Sequence, residues 1–166
     1  MSILIYFILG LLTSLLFPPY FFLPLGFIIF PFLCFLLESN KENYSDKNIF
    51  NKFSIFGFGF FISYLFWIKN PFFVFEETKN FFPVFLLLII LLSLILSFIF
   101  TIISKLGKRI PVIFLIPFMF TISEYIISVI FYGFPWFTFS LIISSNEYFL
   151  FSLKSFGTLI SSYLII

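Results

Sequence analysis

A single carboxylate and a nearby aromatic turn are the features of this sequence that could do chemistry. Glu124 is the only acidic residue inside a predicted apolar span, and residues 132–136 (Tyr-Gly-Phe-Pro-Trp) follow it closely. An unpaired carboxylate in a membrane is costly unless it is protonated or hydrogen-bonded. Two interpretations stay open. Glu124 contacts a substrate headgroup or a partner domain, or it bonds Ser or Tyr hydroxyls of a neighbouring helix and holds the bundle together.

The stretch 132–136 combines helix-stopping residues with aromatic ones. Most aromatic residues at a membrane interface only anchor a helix at the level of the headgroups. An anchor needs no fixed turn, so Gly133 and Pro135 indicate a rigid loop aimed at a ligand or a partner. The following run, 136–144, is too short to cross a membrane and is expected to lie flat or to re-enter.

The composition excludes several classes of site. The chain has no His and one cysteine, Cys34, so an intrachain disulfide and a cysteine-rich metal site are excluded. A net charge of +2 without a basic stripe argues against nucleic-acid binding. The sequence offers no paired carboxylates, no Ser/His or Cys/His arrangement and no phosphate-binding Gly loop. We therefore expect no catalytic residue, cofactor or metal site here, and Cys34, in an apolar span, is expected to be structural.

Hydrophobicity assigns the chain to the membrane. It is 62% hydrophobic and 10% charged, with a mean hydropathy of +1.22, whereas soluble domains are about 25% charged. The apolar runs are continuous rather than alternating, which favours helices over a transmembrane barrel. We predict an all-α, polytopic transmembrane helix bundle that forms one domain over 1–166. About six spans are expected, at 3–17, 23–37, 53–68, 82–104, 111–131 and 148–166, with a solvated cytoplasmic loop at 38–52.

The basic residues predict how the bundle is oriented. When the loops are numbered alternately, one side receives six of them: Lys41, Lys47, Lys52, Lys105, Lys108 and Arg109. The other side receives two, Lys69 and Lys79. The positive-inside rule places the larger set, and with it the N-terminus, in the cytoplasm. The proline-rich and aromatic segments 17–20, 67–71 and 132–136 then face outward, so a site should open outward.

Three segments resemble, in order, landmarks of bacterial apolipoprotein N-acyltransferase. Residues 17–24 (Phe-Pro-Pro-Tyr-Phe-Phe-Leu-Pro) are similar to the segment that follows the first helix of that family. Residues 57–68 are similar to its Gly-rich third helix, which ends in Trp. The most specific likeness is Glu124 followed by Gly-Phe-Pro-Trp at 133–136. The resemblance covers nearly the whole chain and concerns the N-terminal membrane part of the family's enzymes.

The resemblance implies a function that these residues do not complete by themselves. The family's enzymes have eight membrane helices and a periplasmic nitrilase-like domain with a Glu-Lys-Cys triad. The triad moves an acyl chain from a phospholipid to the N-terminal amine of a lipoprotein. Cys34 is not that nucleophile, so the chain is expected to be a fragment of such an enzyme without its catalytic domain, in the bacterial inner membrane. It departs from the signature at Ile127, where the family has Arg, and at Tyr132, where it has Thr.

By the same resemblance, the membrane domain anchors the catalytic domain and shapes a lateral entrance for two lipid substrates, the phospholipid acyl donor and the lipoprotein acceptor. The candidate entrance residues are Tyr20, Trp67, Glu124, Gly133, Phe134, Pro135 and Trp136. One alternative is a non-catalytic membrane scaffold or lipid-binding module. A second is a small transporter subunit, a class that usually needs more polar residues inside its spans than this chain provides.

Overall fold

A computed structural model describes residues 3–39, 45–106 and 110–166 of the chain. These residues form α-helices and short 3-10 segments, with no strand among them, which confirms the all-α prediction. The α-helices are α1 (Ile3–Ser14), α2 (Gly26–Glu38), α3 (Asp46–Tyr64), α4 (Phe82–Leu106), α5 (Val112–Ile130) and α6 (Glu147–Ile165). The 3-10 segments are Leu23–Leu25, Phe66–Phe73, Glu76–Phe81 and Phe139–Ile143.

Two stretches of the described chain are long and apolar enough to cross a membrane. One is Glu76–Lys105, which contains most of α4, and the other is α5. A third would arise if α3 and the 3-10 segment Phe66–Phe73, which meet at a bend of 52°, formed one span. Helix α1 has 12 residues, about 18 Å of helix, against a hydrocarbon core of about 30 Å. The transmembrane helical class is confirmed, while the count of six spans stays a prediction.

The start of α3 corrects one predicted boundary. The charged residues up to Lys52 were expected in a loop, yet the helix begins at Asp46. The Ser45 hydroxyl accepts the Asn48 backbone N–H at 3.2 Å, which caps the first turn of the helix. Seven residues of the predicted loop 38–52 therefore belong to α3. Lys41, Lys108 and Arg109, which contributed to the predicted orientation, lie outside the described residues.

Small residues bring α1 and α3 together side by side and parallel. A Cβ on Gly10 would lie 2.1 Å from the Phe56 carbonyl oxygen, and one on Gly59 would lie 2.4 Å from the Phe7 carbonyl oxygen. No side chain larger than hydrogen fits between backbones at these distances. The Ser14 hydroxyl adds a bond of 2.7 Å to a hydroxyl of α3.

Helix α4 packs antiparallel against the other side of α3. A Cβ on Gly57 would lie 3.1 Å from the Ser93 Cα, and the Ser97 hydroxyl donates to the Phe50 carbonyl of α3. The Phe53 and Phe100 rings are 4.6 Å apart. Helices α1, α3 and α4 thus form a tightly packed three-helix unit, which we call the packed half.

The segment after α5 enters the bundle. The run 136–144 was expected either to lie flat or to re-enter. Phe137, Phe139 and Ile142 are buried. The Phe139 ring contacts an aromatic ring from each of four helical regions, those of Phe17, Phe30, Phe60 and Phe120. We call Phe139–Ile143 the re-entrant segment.

Helix α6 is broken where the sequence suggested. Gly157 has φ +74° and ψ 172°, outside the helical region, and Lys154 before it is exposed. This φ is accessible to glycine at little cost and strained for other residues. The break separates α6 into two arms, of which the second carries Ser161 and Ser162.

Candidate functional site

Three helices end together at one end of the bundle, which we call the turn end. Phe17, just beyond α1, contacts Tyr64 at the end of α3 with ring centroids 4.7 Å apart, and Phe139 of the re-entrant segment at 5.2 Å. The opposite end, which we call the basic end, carries the ion pair between Lys105 and Asp46 at 2.6 Å. The aromatic segments predicted to share one face of the membrane therefore lie at the same end of the structure.

Helix α5 closes at the turn end with a hydrogen-bonded reversal. The Gly133 N–H donates to the Ser128 carbonyl at 2.7 Å, and the Tyr132 N–H donates to the Val129 carbonyl at 3.3 Å. This pair of bonds defines a Schellman motif, whose left-handed residue is usually glycine. Here that residue is Tyr132, with φ +55°, and the glycine follows it with φ +86°. The turn is thus fixed by hydrogen bonds, with a bulky residue in a strained conformation at its tip.

The aromatic residues of the turn differ in exposure. Tyr132 is fully exposed and Phe134 is about half exposed, while Trp136 is partly buried. The Trp136 ring contacts Phe131 at 5.4 Å and Phe134 at 4.8 Å, both edge to face. Its indole N–H is buried and has no hydrogen-bond partner among the described residues. Pro135 is exposed, so the turn presents an apolar surface with a polar group beneath it.

Tyr20 and Trp67 lie at the same end but in separate places. Both are exposed, Tyr20 after α1 and Trp67 in the 3-10 segment that follows α3. No hydrogen bond or ring contact joins either of them to Trp136 within the described chain. Of the candidate entrance residues, Tyr20, Trp67 and residues 133–136 thus share one end of the bundle, in three separate segments of the chain.

Glu124 lies inside the bundle and not at its mouth. Its side chain is on the buried face of α5, with the residue 4% exposed. One carboxylate oxygen accepts the backbone N–H of Phe139 at 3.1 Å, and the Ser162 hydroxyl of α6 is hydrogen-bonded to the same carboxylate. The carboxylate therefore joins α5, the re-entrant segment and α6. This arrangement corresponds to the second interpretation of Glu124 given above, in which it bonds hydroxyls of a neighbouring helix.

Ser162 completes this network. Its oxygen accepts the backbone N–H of Ser140 at 3.0 Å. The first N–H groups of a helical segment have no acceptor within that segment. Here Glu124 of α5 and Ser162 of α6 supply acceptors for the first two, those of Phe139 and Ser140. Ser162 and the Phe139 N–H are parts of the site that the sequence does not predict. A backbone group leaves no sequence signal, and one serine among many at helical spacing does not stand out.

Two further residues bear on the predicted site. Ile127, which stands where the resembled signature has Arg, is fully buried in the core, so the described structure gives that position no polar role.

Cys34 is partly buried and lines a cavity of about 510 Å³ with Glu38 and Pro111, near the basic end. Within the described residues, no group of three or more His, Cys, Asp or Glu side chains is placed to hold a metal ion.

The chain matches a known protein family. The family model described as the apolipoprotein N-acyltransferase N-terminal domain matches residues 9–166, nearly the whole chain. Neither the curated proteins nor the solved structures include a match.

Proposed function

Because the chain belongs to the apolipoprotein N-acyltransferase N-terminal domain family, we propose that it is the membrane domain of an enzyme that transfers an acyl chain from a phospholipid to a lipoprotein N-terminus. In this proposal the domain anchors a catalytic domain that these residues do not contain. Its turn end forms a lateral entrance for the lipid substrates and faces the periplasm, with the protein in the bacterial inner membrane. Membership of the family supports the reaction class, and the geometry of the turn end supports the location of the entrance.

The observation that carries the entrance is the exposed turn 132–136. A residue other than glycine in a left-handed conformation costs free energy, and Tyr132 recovers none of it through packing because its side chain is fully exposed. Strained backbone conformations of this kind cluster at functional sites. Phe134 and Pro135 extend the same surface, which suits contact with an acyl chain at the membrane boundary.

Glu124 has a different part in the proposal. Its carboxylate holds Phe139, which lies three residues beyond Trp136, so it fixes the segment on which the turn rests. Glu124 therefore serves the entrance as a positioning residue, and lipid contact falls to Tyr20, Trp67 and residues 133–136.

The test uses the complete reading frame that contains residues 1–166, purified and supplied with a phospholipid donor and a diacylglyceryl-cysteine peptide. Mass spectrometry then measures N-acylated peptide. Phe134→Ala should lower kcat/KM by about tenfold, chiefly through KM for the lipid. Phe114→Ala is the matched control, because Phe114 is 57% exposed against 53% for Phe134 and lies near the start of α5, away from the turn.

Two results would count against the proposal, and they are distinguishable. If the wild-type protein forms no N-acylated peptide, the reaction class is wrong for this chain. If the wild type is active and Phe134→Ala matches it at equal protein level, the reaction class stands but the turn is not the entrance.

A further inference from the structure

The connection between α3 and α4 folds on itself at the turn end. Residues 66–81, which we call the connecting segment, form two 3-10 segments that are joined by Val74 and Phe75. The first of them is bent by 52° from α3, so the chain leaves the direction of that helix. The Thr78 hydroxyl donates to the Phe72 carbonyl at 3.0 Å and to the Phe75 carbonyl at 2.9 Å. The connecting segment is therefore a folded element and not an extended tether.

The surface of the connecting segment is largely apolar and uncovered. Every residue of this segment is described, and none of them is buried. Its large apolar side chains that are more than half exposed are those of Phe66, Trp67, Phe73, Val74, Phe75 and Phe81. Removing one such side chain from water is worth about 1.5–3 kcal/mol. In bulk water the connecting segment would therefore leave a large stabilisation unused.

The charged residues of the connecting segment exclude the hydrocarbon core as its location. Four of them stand among the aromatic residues: Lys69, Glu76, Glu77 and Lys79. A charged side chain at the centre of the bilayer costs about 2.5–3.5 kcal/mol or more. The ends of helical segments also carry backbone groups without a partner, and hydrocarbon offers them none. The headgroup layer, where tryptophan is enriched, accommodates both the aromatic and the charged side chains.

The lengths of α3 and α4 place the connecting segment at that depth. The ion pair of Lys105 with Asp46 marks the basic end, where charged groups lie at the edge of the hydrocarbon. From there α3 covers 18 residue steps to Tyr64, and α4 covers 23 to Phe82, which correspond to about 27 and 35 Å of helix. The hydrocarbon core is about 30 Å thick. Both ends of the connecting segment therefore lie near the opposite boundary of the core.

We propose that the connecting segment is an interfacial anchor, which lies in the headgroup layer at the turn end with its exposed aromatic side chains inserted among phospholipids. Depth favours lipid over a protein partner, because an uncovered side chain at the membrane boundary has lipid as its neighbour. The charges of two lysines and two glutamates cancel, so the aromatic residues, and not attraction to anionic headgroups, hold the segment there. The proposal rests on depth and composition and is independent of acyl transfer.

The test measures the depth of Trp67, one of the two tryptophans of residues 1–166. The full chain with Trp136→Phe is reconstituted into vesicles of phosphatidylcholine that carries a nitroxide either near the ester group or near the methyl end of one acyl chain. The ester-end label should quench Trp67 fluorescence about twice as strongly as the methyl-end label, because indole rings prefer the headgroup boundary.

The matched control places a tryptophan in the core of the bilayer. It is Leu94→Trp in a chain that also carries Trp67→Phe and Trp136→Phe. Leu94 is exposed and lies at the middle of α4, so its replacement should be quenched more strongly by the methyl-end label. A second comparison exchanges part of the phosphatidylcholine for phosphatidylglycerol, which should leave the depth of Trp67 unchanged. A shift of Trp67 toward the headgroups on this exchange would overturn the aromatic anchor in favour of anionic lipid bound by Lys69 and Lys79.

Three other results would overturn the proposal. Strong quenching by aqueous acrylamide, with no effect of either lipid label, would place the connecting segment in water. Quenching mainly by the methyl-end label would place it in the hydrocarbon core. Protection of Trp67 from acrylamide and from both labels would show that a protein surface covers it. If Trp136→Phe fails to fold, the difference in quenching between the parent chain and Trp67→Phe reports the depth of Trp67 instead.

Discussion

The packed half and the α5–α6 half of this protein are held together by different means. In α1, α3 and α4, glycines at the contacts let backbones touch. Helices α5 and α6 contact each other directly, and both also hold the re-entrant segment, whose N–H groups are bonded to Glu124 and Ser162. Close packing leaves no room for a ligand, whereas a hydrogen-bonded network fixes a few points and leaves the surfaces around it open. The exposed turn lies in the second half.

The largest expected effect tests the packed half. Gly10→Ala would place a methyl group 2.1 Å from a backbone oxygen of α3, so the helices must separate. Overpacking of this kind should lower the free energy of unfolding by about 3 kcal/mol, measured by denaturant titration in mixed micelles. Gly26→Ala is the control, because its new methyl group would meet side-chain carbons at ordinary distances, 3.6 Å or more. Equal stability of the two variants would show that the backbones of α1 and α3 are not in contact.

The next effect tests the hydrogen-bonded half. Glu124→Ala leaves the buried Phe139 N–H without its acceptor, which should cost about 2 kcal/mol. Glu124→Gln keeps an oxygen at that place and should lose less than half as much. Both changes are measured in the same micelle titration. Should Gln destabilise as strongly as Ala, the negative charge and not the acceptor would be what this half requires.

A smaller effect with the opposite sign tests the strain at the turn. Tyr132→Gly relieves the left-handed conformation without losing any packing, so it should stabilise the protein by about 1 kcal/mol. Tyr125→Gly is the matched control, since Tyr125 is also exposed but lies inside α5. Glycine there should destabilise by about 1 kcal/mol. Two changes of the same sign would argue against strain at Tyr132.

The smallest effect is expected at the basic end. Lys105 and Asp46 form an ion pair, but both side chains are more than half exposed. Surface pairs of this kind contribute little, so Asp46→Asn should change stability by at most about 0.5 kcal/mol. Thermal unfolding at low and high salt checks this. A loss comparable to that of Glu124→Ala would mean that charge pairing, too, holds the packed half.

The sequence predicted the helices better than it predicted their contacts. Long apolar runs revealed α4 and α5 because membrane helices need length and hydrophobicity, which are local properties. The start of α3 was missed because its first two turns are charged, and a cap at Ser45 extends the helix through residues that were expected in a loop. Gly157 was found because a glycine beside a lysine in an apolar run is itself a local signal.

The candidate site was predicted only in part for a related reason. The turn 132–136 is visible in the sequence because its residue types are unusual, but the residue with the strained backbone is Tyr132 and not the glycine. Glu124 was singled out with two interpretations, and its partner could not be named because the Phe139 N–H belongs to the backbone.

Labelling from one side of the membrane determines which compartment the turn end faces. In a Cys34→Ala background, Tyr132→Cys marks the turn end and Lys105→Cys marks the basic end. Both are treated with a membrane-impermeant maleimide on spheroplasts of a Gram-negative host, before and after permeabilisation. We expect Tyr132→Cys to react on intact spheroplasts and Lys105→Cys to react only after permeabilisation. The reverse pattern would place the turn in the cytoplasm, away from the compartment in which the proposed acyl transfer takes place, and would overturn the proposed orientation of the protein.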